Sequence, residues 1–317
     1  MTPPFSFRYH PVLGTELHVL VACETAAAAE QAQQRMLDEV LRLETLLSTY
    51  RADSPLSRWL RAEIEDDLPA EVVTVLALAH EWFVASEGAF NPGLGHLRAR
   101  WREAERSEKV PSREECRELA EQAQRLPFTV GTSGRVRNVH RTGDCTGLDL
   151  DALAKGWIVD RAAEIGRGPG VEWLMVNVGG DLRLVGTGSV RVAIQDPSSV
   201  IDNAPPVAVV TLTSGGLASS GPARRGFRVG EQWFGHVLDP RTGWPAEGTT
   251  GVSVIAGDTV TADALATVVG VAGLDHPTVT ALLDEAAAAV LAVSAAGAVQ
   301  LSQRWRDQVS FELPASG

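Results

Sequence analysis

The sequence predicts an α+β fold of largely antiparallel sheets with packed helices. Three observations point there. The elements run strand, helices, many strands, helix, hairpin, and do not alternate regularly as in a doubly wound sheet. The strand-rich stretch from about residue 172 to 256 carries hairpin signals such as Val229-Gly230-Glu231. No GxGxxG follows a strand and no Walker A sequence is present, so neither common nucleotide-binding α/β signature is found.

Residues 5–22 alternate and include Glu16-Leu17-His18-Val19-Leu20-Val21, which predicts a strand. Thr25 is placed to cap a helix reaching about Leu47, with apolar Met36, Val40, Leu43 and Leu47 at spacings of three and four. A polar loop follows over 48–54, then a second helix over 70–87. Residues 88–101 are rich in turn formers, and RSEKVPSREE reads as an exposed excursion leading into a helix at 112–125. Short strands fill 127–148 around Thr132-Ser133-Gly134, and a helix covers 149–167. Strands flank Gly179-Gly180 and continue through 206–214, 217–219, 226–237 and 250–256. Helices at 261–272 and 276–285 precede a closing hairpin, AVLAVSAAGAVQLS. No fixed-period repeat is seen.

With 317 residues the chain can bury a sizeable core as one large or two smaller domains. Its formal net charge of -12 argues against nucleic acid and against polybasic membrane contact. Cys23, Cys116 and Cys145 are odd in number and form no CxxC pair, which favours a reducing compartment over a disulfide framework. The opening MTPPFSFRYHPVLG has no basic and apolar leader pattern, and no apolar run reaches spanning length. The expectation is a soluble cytoplasmic protein with no stable membrane contact.

Five segments have residues suited to chemistry. In TADALAT, Asp263 and Thr267 lie at i and i+4 on one helix face, a carboxylate and a hydroxyl that suit Mg²⁺. On its own the segment reads more simply as Thr261 capping a helix with Asp263 in its first turn. In LDLDALAKGW, Asp149 and Asp151 run into a helix start that carries Lys155, one of only two lysines. Such an end can hold a phosphate, or is an Asp cap beside a solvated lysine; a cation that early opposes the macrodipole. In GHVLDPRTGWP, His236 is a general-base candidate; the segment also reads as a plain turn with Asp239 and Arg241 hydrogen-bonding locally and His236 structural. Gly179-Gly180 permits a close ligand approach or a plain hairpin turn. Tyr50, one of two tyrosines, sits in a polar loop where it can stack on a ring or simply edge the fold.

In this order the motifs resemble one family, the FAD:protein FMN transferases (ApbE-type flavin transferases). LSTYRADSPLSR is similar to MSTYxxxSxLSR, FNPGLGHLRARW to FDPTVGPLxxLW, and KVPSREE to VPSxEE. LDLDALAKGWIVD is similar to LDLGAIAKGYAVD, VNVGGDLRLVG to VNxGGDIxxxG, and LASSGPARRGF to ATSGDYRRxF. HVLDPRTGWP is similar to HIIDPRTGYP, and SVIAGDTVTADALAT to SVxxxxxxxADALAT. The likeness spans about residues 10 to 272.

The resemblance implies an ApbE-like, two-lobed architecture: a single flavin-transferase domain over 1–317 with the FAD and Mg²⁺ site between its lobes. It implies FAD as substrate, Mg²⁺ as cofactor, and a protein acceptor whose Ser or Thr takes FMN through a phosphoester while AMP leaves. By the same likeness Asp263, Thr267 and the Ala152 carbonyl are metal ligands. Leu13, Tyr50, Asp149, Lys155 and Val237 are FAD contacts, and His236 is the base. An unaided hydroxyl is a weak nucleophile, which suits a base there. Two alternatives share these residues: an FAD pyrophosphatase giving FMN and AMP, and a non-catalytic FAD-binding protein.

The chain departs from the pattern in places. Leu13 stands for a methionine, Asn91 for an aspartate, Gly93 for a threonine and Pro222 for an aspartate, and Ala223 stands where a tyrosine is usual. These changes bear on the acceptor side more than on the inferred metal site.

Overall fold

The computed structural model describes residues 3–133, 136–197, 199, 204–221 and 226–312. β1 (Phe5–Val12) and β2 (Thr15–Cys23) form a hairpin, not the single strand expected over 5–22. Leu13 and Gly14 take φ of 50° and 71°, the paired left-handed turn that folds one strand back on itself. α1 (Ala26–Leu47) starts as expected, with Thr25 Oγ1 accepting the Ala28 N–H, and buries Met36, Val40, Leu43 and Leu47.

The expected loop over 48–54 leads into a short helix the pattern did not show. α2 (Pro55–Leu60) is capped by Ser54, whose Oγ accepts the Ser57 N–H at 2.9 Å. α3 (Ala70–Ala85) follows. α4 (Gly95–Ser107) corrects the reading of 88–111 as turns and an excursion. Leu97, Trp101 and Ala104 recur at helical spacing and are buried, which leaves 88–94 as turn and 108–112 as the mostly exposed link expected within RSEKVPSREE. α5 (Arg113–Ala123), β3 (Phe128–Ser133), β4 (Val136–Arg141) and α6 (Asp151–Gly166) fall close to expectation.

The remaining elements are β5 (Val171–Val178), β6 (Asp181–Gly186), β7 (Val190–Ile194), β8 (Ala208–Leu212), β9 (Gly215–Ser220), β10 (Gly226–Val229), β11 (Gln232–Gly235), β12 (Thr249–Ala256), α7 (Thr259–Ala272), α8 (Pro277–Glu285), β13 (Ala289–Ser294), β14 (Val299–Leu301), α9 (Gln303–Gln308) and β15 (Ser310–Glu312). The chain therefore continues past the expected closing hairpin. α9 and β15 have three-to-six-residue spans too short for periodicity to register.

Eight antiparallel strands form the main sheet in the order β1-β2-β5-β6-β9-β12-β13-β14. Alternation divides its two faces. Leu17, Val19 and Val21 of β2 and Leu174, Val176 and Val178 of β5 pack with residues of α1, α3, α6 and α7. Met175, Leu182, Leu217, Leu291 and Val293 point the other way and pack with Val190, Ile194 and Val210 of the small sheet β15-β8-β7, and with Trp305 of α9. A third cluster joins α4 and α5 to the β10–β11 ribbon through Trp101, Cys116, Phe227 and Leu238. Trp101 meets Phe227, Phe234 and Trp244 at centroid distances of 5.8, 4.9 and 4.9 Å.

All three cysteines are buried and free. Burial pushes the Cys145 thiol up to about 11 and raises Cys116 as well. Native protein exposed to a disulfide reagent at pH 8 is expected to react negligibly over minutes, and to titrate three thiols once unfolded in guanidinium. A fast native thiol would contradict this packing. No helix among the described residues is long and apolar enough to cross a membrane.

Candidate functional site

Nine residues singled out from sequence converge on one cavity of about 750 Å³. Leu13, Tyr50, Asp149, Ala152, Lys155, His236, Val237, Asp263 and Thr267 all line it. The size suits a dinucleotide-sized ligand. The sequence separates the first and last of them by more than 250 positions, so the sheet order and helix packing bring them together.

The β1–β2 turn supplies Leu13. A non-glycine residue at positive φ is uncommon, and such strain is retained where the surroundings enforce it. The loop after α1 supplies Tyr50. Ser48 organises this loop: its Oγ accepts the N–H groups of Tyr50 and Arg51 at 3.2 and 3.1 Å, and its carbonyl accepts the hydroxyls of Ser54 and Ser57. Tyr50 is 69% exposed, so it is held at the mouth rather than in the core. Its hydroxyl donates to Asp151 Oδ2 at 3.2 Å and accepts from Arg102 Nη2 at 3.0 Å. The surrounding chain, and next the charge of Asp149, raise the Asp151 carboxyl above the ordinary range.

Asp149 is fixed from three sides. Its N–H donates to the Pro92 carbonyl at 2.7 Å, its Oδ1 accepts the Asp151 N–H at 3.0 Å, and its carboxylate pairs with Arg98 of α4. The cap position of α6 is Leu150, not the expected Asp, and Asp149 just before it holds the first N–H of the helix while lining the cavity. Lys155 is not the solvated lysine of the alternative reading. Its ammonium pairs with Asp181, a carboxylate 1% exposed at the start of β6.

α7 supplies Asp263 and Thr267. Its cap is Asp258, whose side chain accepts the Thr261 N–H at 2.9 Å, so Thr261 is not the cap and Asp263 lies beyond the first turn. Asp160 of α6 adds a second, interhelical cap, accepting from Thr259 and Val260 N–H groups at 2.8–3.0 Å. Asp263 is buried, and its Oδ2 accepts the Gly156 N–H at 3.3 Å. Gly156 is where the two helices meet. A Cβ there would lie 2.8 Å from the Thr259 carbonyl oxygen and 2.9 Å from Val260 Cα. Gly156→Ala is therefore expected to force α6 and α7 apart, costing roughly 1–3 kcal/mol. Thermal unfolding of the variant against the parent checks this.

The segment after β11 divides its roles. His236 and Val237 line the cavity, whereas Asp239 and Arg241 make the local turn. Asp239 accepts from the Arg241 backbone N–H at 2.9 Å and from its guanidinium at 2.8 Å. Gly179 and Gly180 form the β5–β6 hairpin turn, with Asn177 Oδ1 accepting the Gly180 N–H at 3.1 Å.

Two departures from the family pattern explain each other. A Cβ on Gly93 would lie 2.8 Å from the Ala123 carbonyl oxygen, so a threonine does not fit. Asn91 spends its amide on that same carbonyl at 3.2 Å, and its oxygen accepts the Gly93 N–H at 2.7 Å. A carboxylate at 91 would face a carbonyl with no proton to give. Asn91→Asp is expected to destabilise the fold by about 1–3 kcal/mol, and a denaturation midpoint unchanged from the parent would refute that account. Pro222 and Ala223 lie outside the described residues.

Sequence reasoning missed Arg98, Arg102 and Asp181 as site residues. Arg98 and Arg102 sit in a helix the pattern concealed, and Asp181 stood beside two glycines that drew attention to the turn. Nothing local marks any of the three.

A sequence model described as the ApbE family matches residues 13–291. A protein of Haemophilus influenzae named FAD:protein FMN transferase is 28% identical over 275 residues, covering 83% of this chain and 79% of that one. One of the same name from Treponema pallidum is 29% identical, covering 84% and 79%. Among solved structures, an ApbE protein from Thermotoga maritima aligns over 96% of this chain and 98% of its own, with a TM-score of 0.78 and 27% identity. The flavin transferase ApbE from Vibrio cholerae shares the fold, with a TM-score of 0.74 at 22% identity over 96% of this chain and 99% of that one.

Proposed function

We propose, from the premise that this chain belongs to the ApbE family, that it is a FAD:protein FMN transferase. It moves the FMN part of FAD to a Ser or Thr hydroxyl of a protein acceptor and releases AMP. The chain acts as a single domain with FAD lying between its lobes. The observation that carries this reading is the single cavity that gathers His236, Lys155, Asp263 and Thr267.

The donors around Asp263 fit Mg²⁺. They are one buried carboxylate, the Thr267 hydroxyl and the Ala152 carbonyl, all hard oxygens. Among the described residues no cluster of three or more His, Cys, Asp or Glu side chains forms a metal cage. That is the pattern expected of a cation that takes its remaining ligands from phosphates and water. Mg²⁺ held there would neutralise charge on the pyrophosphate.

The chain's own residues do the rest. Lys155, oriented by Asp181, presents a cation to the phosphates. Leu13, Tyr50 and Val237 provide apolar and aromatic surface for the rings. His236 accepts the proton of the acceptor hydroxyl. That oxygen bonds to the FMN-side phosphorus as the bridging P–O bond breaks, and the electron pair leaves with AMP.

The test incubates the protein with FAD and Mg²⁺, with and without EDTA and a flavin-acceptor domain bearing a target threonine. Covalent flavin on the denatured acceptor with equimolar AMP, both lost in EDTA, is expected. AMP with no labelling would replace transfer by hydrolysis. FAD binding with neither product would leave a flavin-binding protein.

A further inference from the structure

A second cavity of about 630 Å³ opens on the other face of the main sheet. It shares Thr15, Ser219, Ser220 and His236 with the first, so His236 stands where the two spaces meet. Nothing in the transfer reading above occupies it.

Register shows how it is built. His18 of β2 lies opposite Asn177 of β5, Asn177 opposite Leu182 of β6, and Leu182 opposite Leu217 of β9. One row further on, Ser219 of β9 lies opposite Ser253 of β12, their hydroxyls 2.8 Å apart. These residues make a floor that crosses the strands and mixes apolar with uncharged polar groups. The opposite wall is β7. Val192, Ala193 and Ile194 line the cavity in succession, although alternate strand residues point to opposite faces. The strand therefore borders the space along its edge. Among the described residues β7 is hydrogen-bonded on one side only, to β8. A free edge of N–H and C=O groups is a template for an extended chain.

We infer that this second cavity seats the acceptor: an extended segment of the acceptor polypeptide lies along the free edge of β7 and delivers its Ser or Thr hydroxyl to His236. The inference rests on the transferase reading. It follows from a geometric need, since one ligand fills the first cavity and the hydroxyl must arrive from another direction. His236 borders both spaces and can take the proton there while the phosphoryl group is presented from the first. A partner of this kind pairs through its backbone, and side chains at alternate positions face the floor of His18, Asn177, Leu182 and Leu217.

The experiment uses the full chain and a flavin-acceptor domain bearing a target threonine. His18→Trp and Val192→Trp place bulk in the second cavity, and neither position lines the first. Acceptor-labelling kcat/KM is expected to fall at least tenfold in each, with FAD affinity within about twofold of the parent. Because a tryptophan can disturb packing, Val192→Cys carrying a benzophenone gives an independent readout. The native cysteines are buried, so labelling is confined to position 192. Illumination is expected to crosslink the acceptor segment holding the threonine. Parent protein that labels the acceptor, with undiminished labelling in both tryptophan variants or no crosslink from position 192, would overturn the cavity assignment alone. A parent that never labels would overturn the transferase reading, and this inference with it.

Discussion

Replacing His236 with alanine is expected to slow acceptor labelling by 10²–10⁴-fold while FAD affinity changes little. The expectation follows from position. His236 is half-buried at the end of β11, borders both cavities, and lies beside Val237 rather than within the Asp239–Arg241 turn. Asp239 and Arg241 make that turn between themselves, so the fold and the first cavity are expected to persist. Added imidazole is expected to restore part of the rate, because the vacated space borders both cavities. A loss of FAD binding equal to the loss of rate would instead mark His236 as a substrate contact. Unchanged labelling would remove it from the chemistry.

Asp181→Ala is expected to be among the most damaging single changes to stability, about 3–5 kcal/mol. Asp181 is 1% exposed and Lys155 sits against it with 15% of its side chain exposed. Removing the carboxylate leaves the largely buried Lys155 ammonium without its partner. For a chain of this size that corresponds to a fall in Tm of about 5 °C or more. The double change Lys155→Met with Asp181→Leu is expected to recover most of the stability, since it removes both charges together. On the proposed transfer reading it is not expected to recover FAD turnover, because that reading sets the Lys155 cation against the phosphates. Equal stability in the single and double variants would refute the buried-pair account.

The sequence made local features legible and hid distant ones, for a physical reason. Thr25 capping α1 and the spacing of Asp263 and Thr267 are relations within one turn of helix, so neighbours in sequence display them. The family motifs extended this to nine residues of one cavity. The cap of α7 was misplaced onto Thr261 because the N–H groups at its start are shared out between two carboxylates, Thr261 to Asp258 and Thr259 and Val260 to Asp160, and Asp160 comes from a helix about a hundred positions earlier. The hairpin of β1 and β2 was merged because a leucine, not the usual Asn or Asp, occupies the first left-handed position. α4 was concealed because Arg98, Arg100, Arg102 and Glu105 dilute its buried stripe. The partnerships of Arg98 with Asp149 and of Lys155 with Asp181 depend on elements that meet only in the finished fold.

The strand order of the main sheet is also a timetable. It rises steadily along the chain, yet β2 must wait for β5, roughly 150 residues later, before its second edge is paired. Closing a loop of that length costs about 4 kcal/mol in chain entropy beyond a constant. The cleft needs Leu13 from the first turn and Thr267 from the seventh helix, so it is absent until nearly the whole chain has been synthesised. No ligand of this cleft can therefore guide the early stages of assembly. Ligand rescue of a folding-defective variant is confined to the last step, when the two halves of the sheet have already closed.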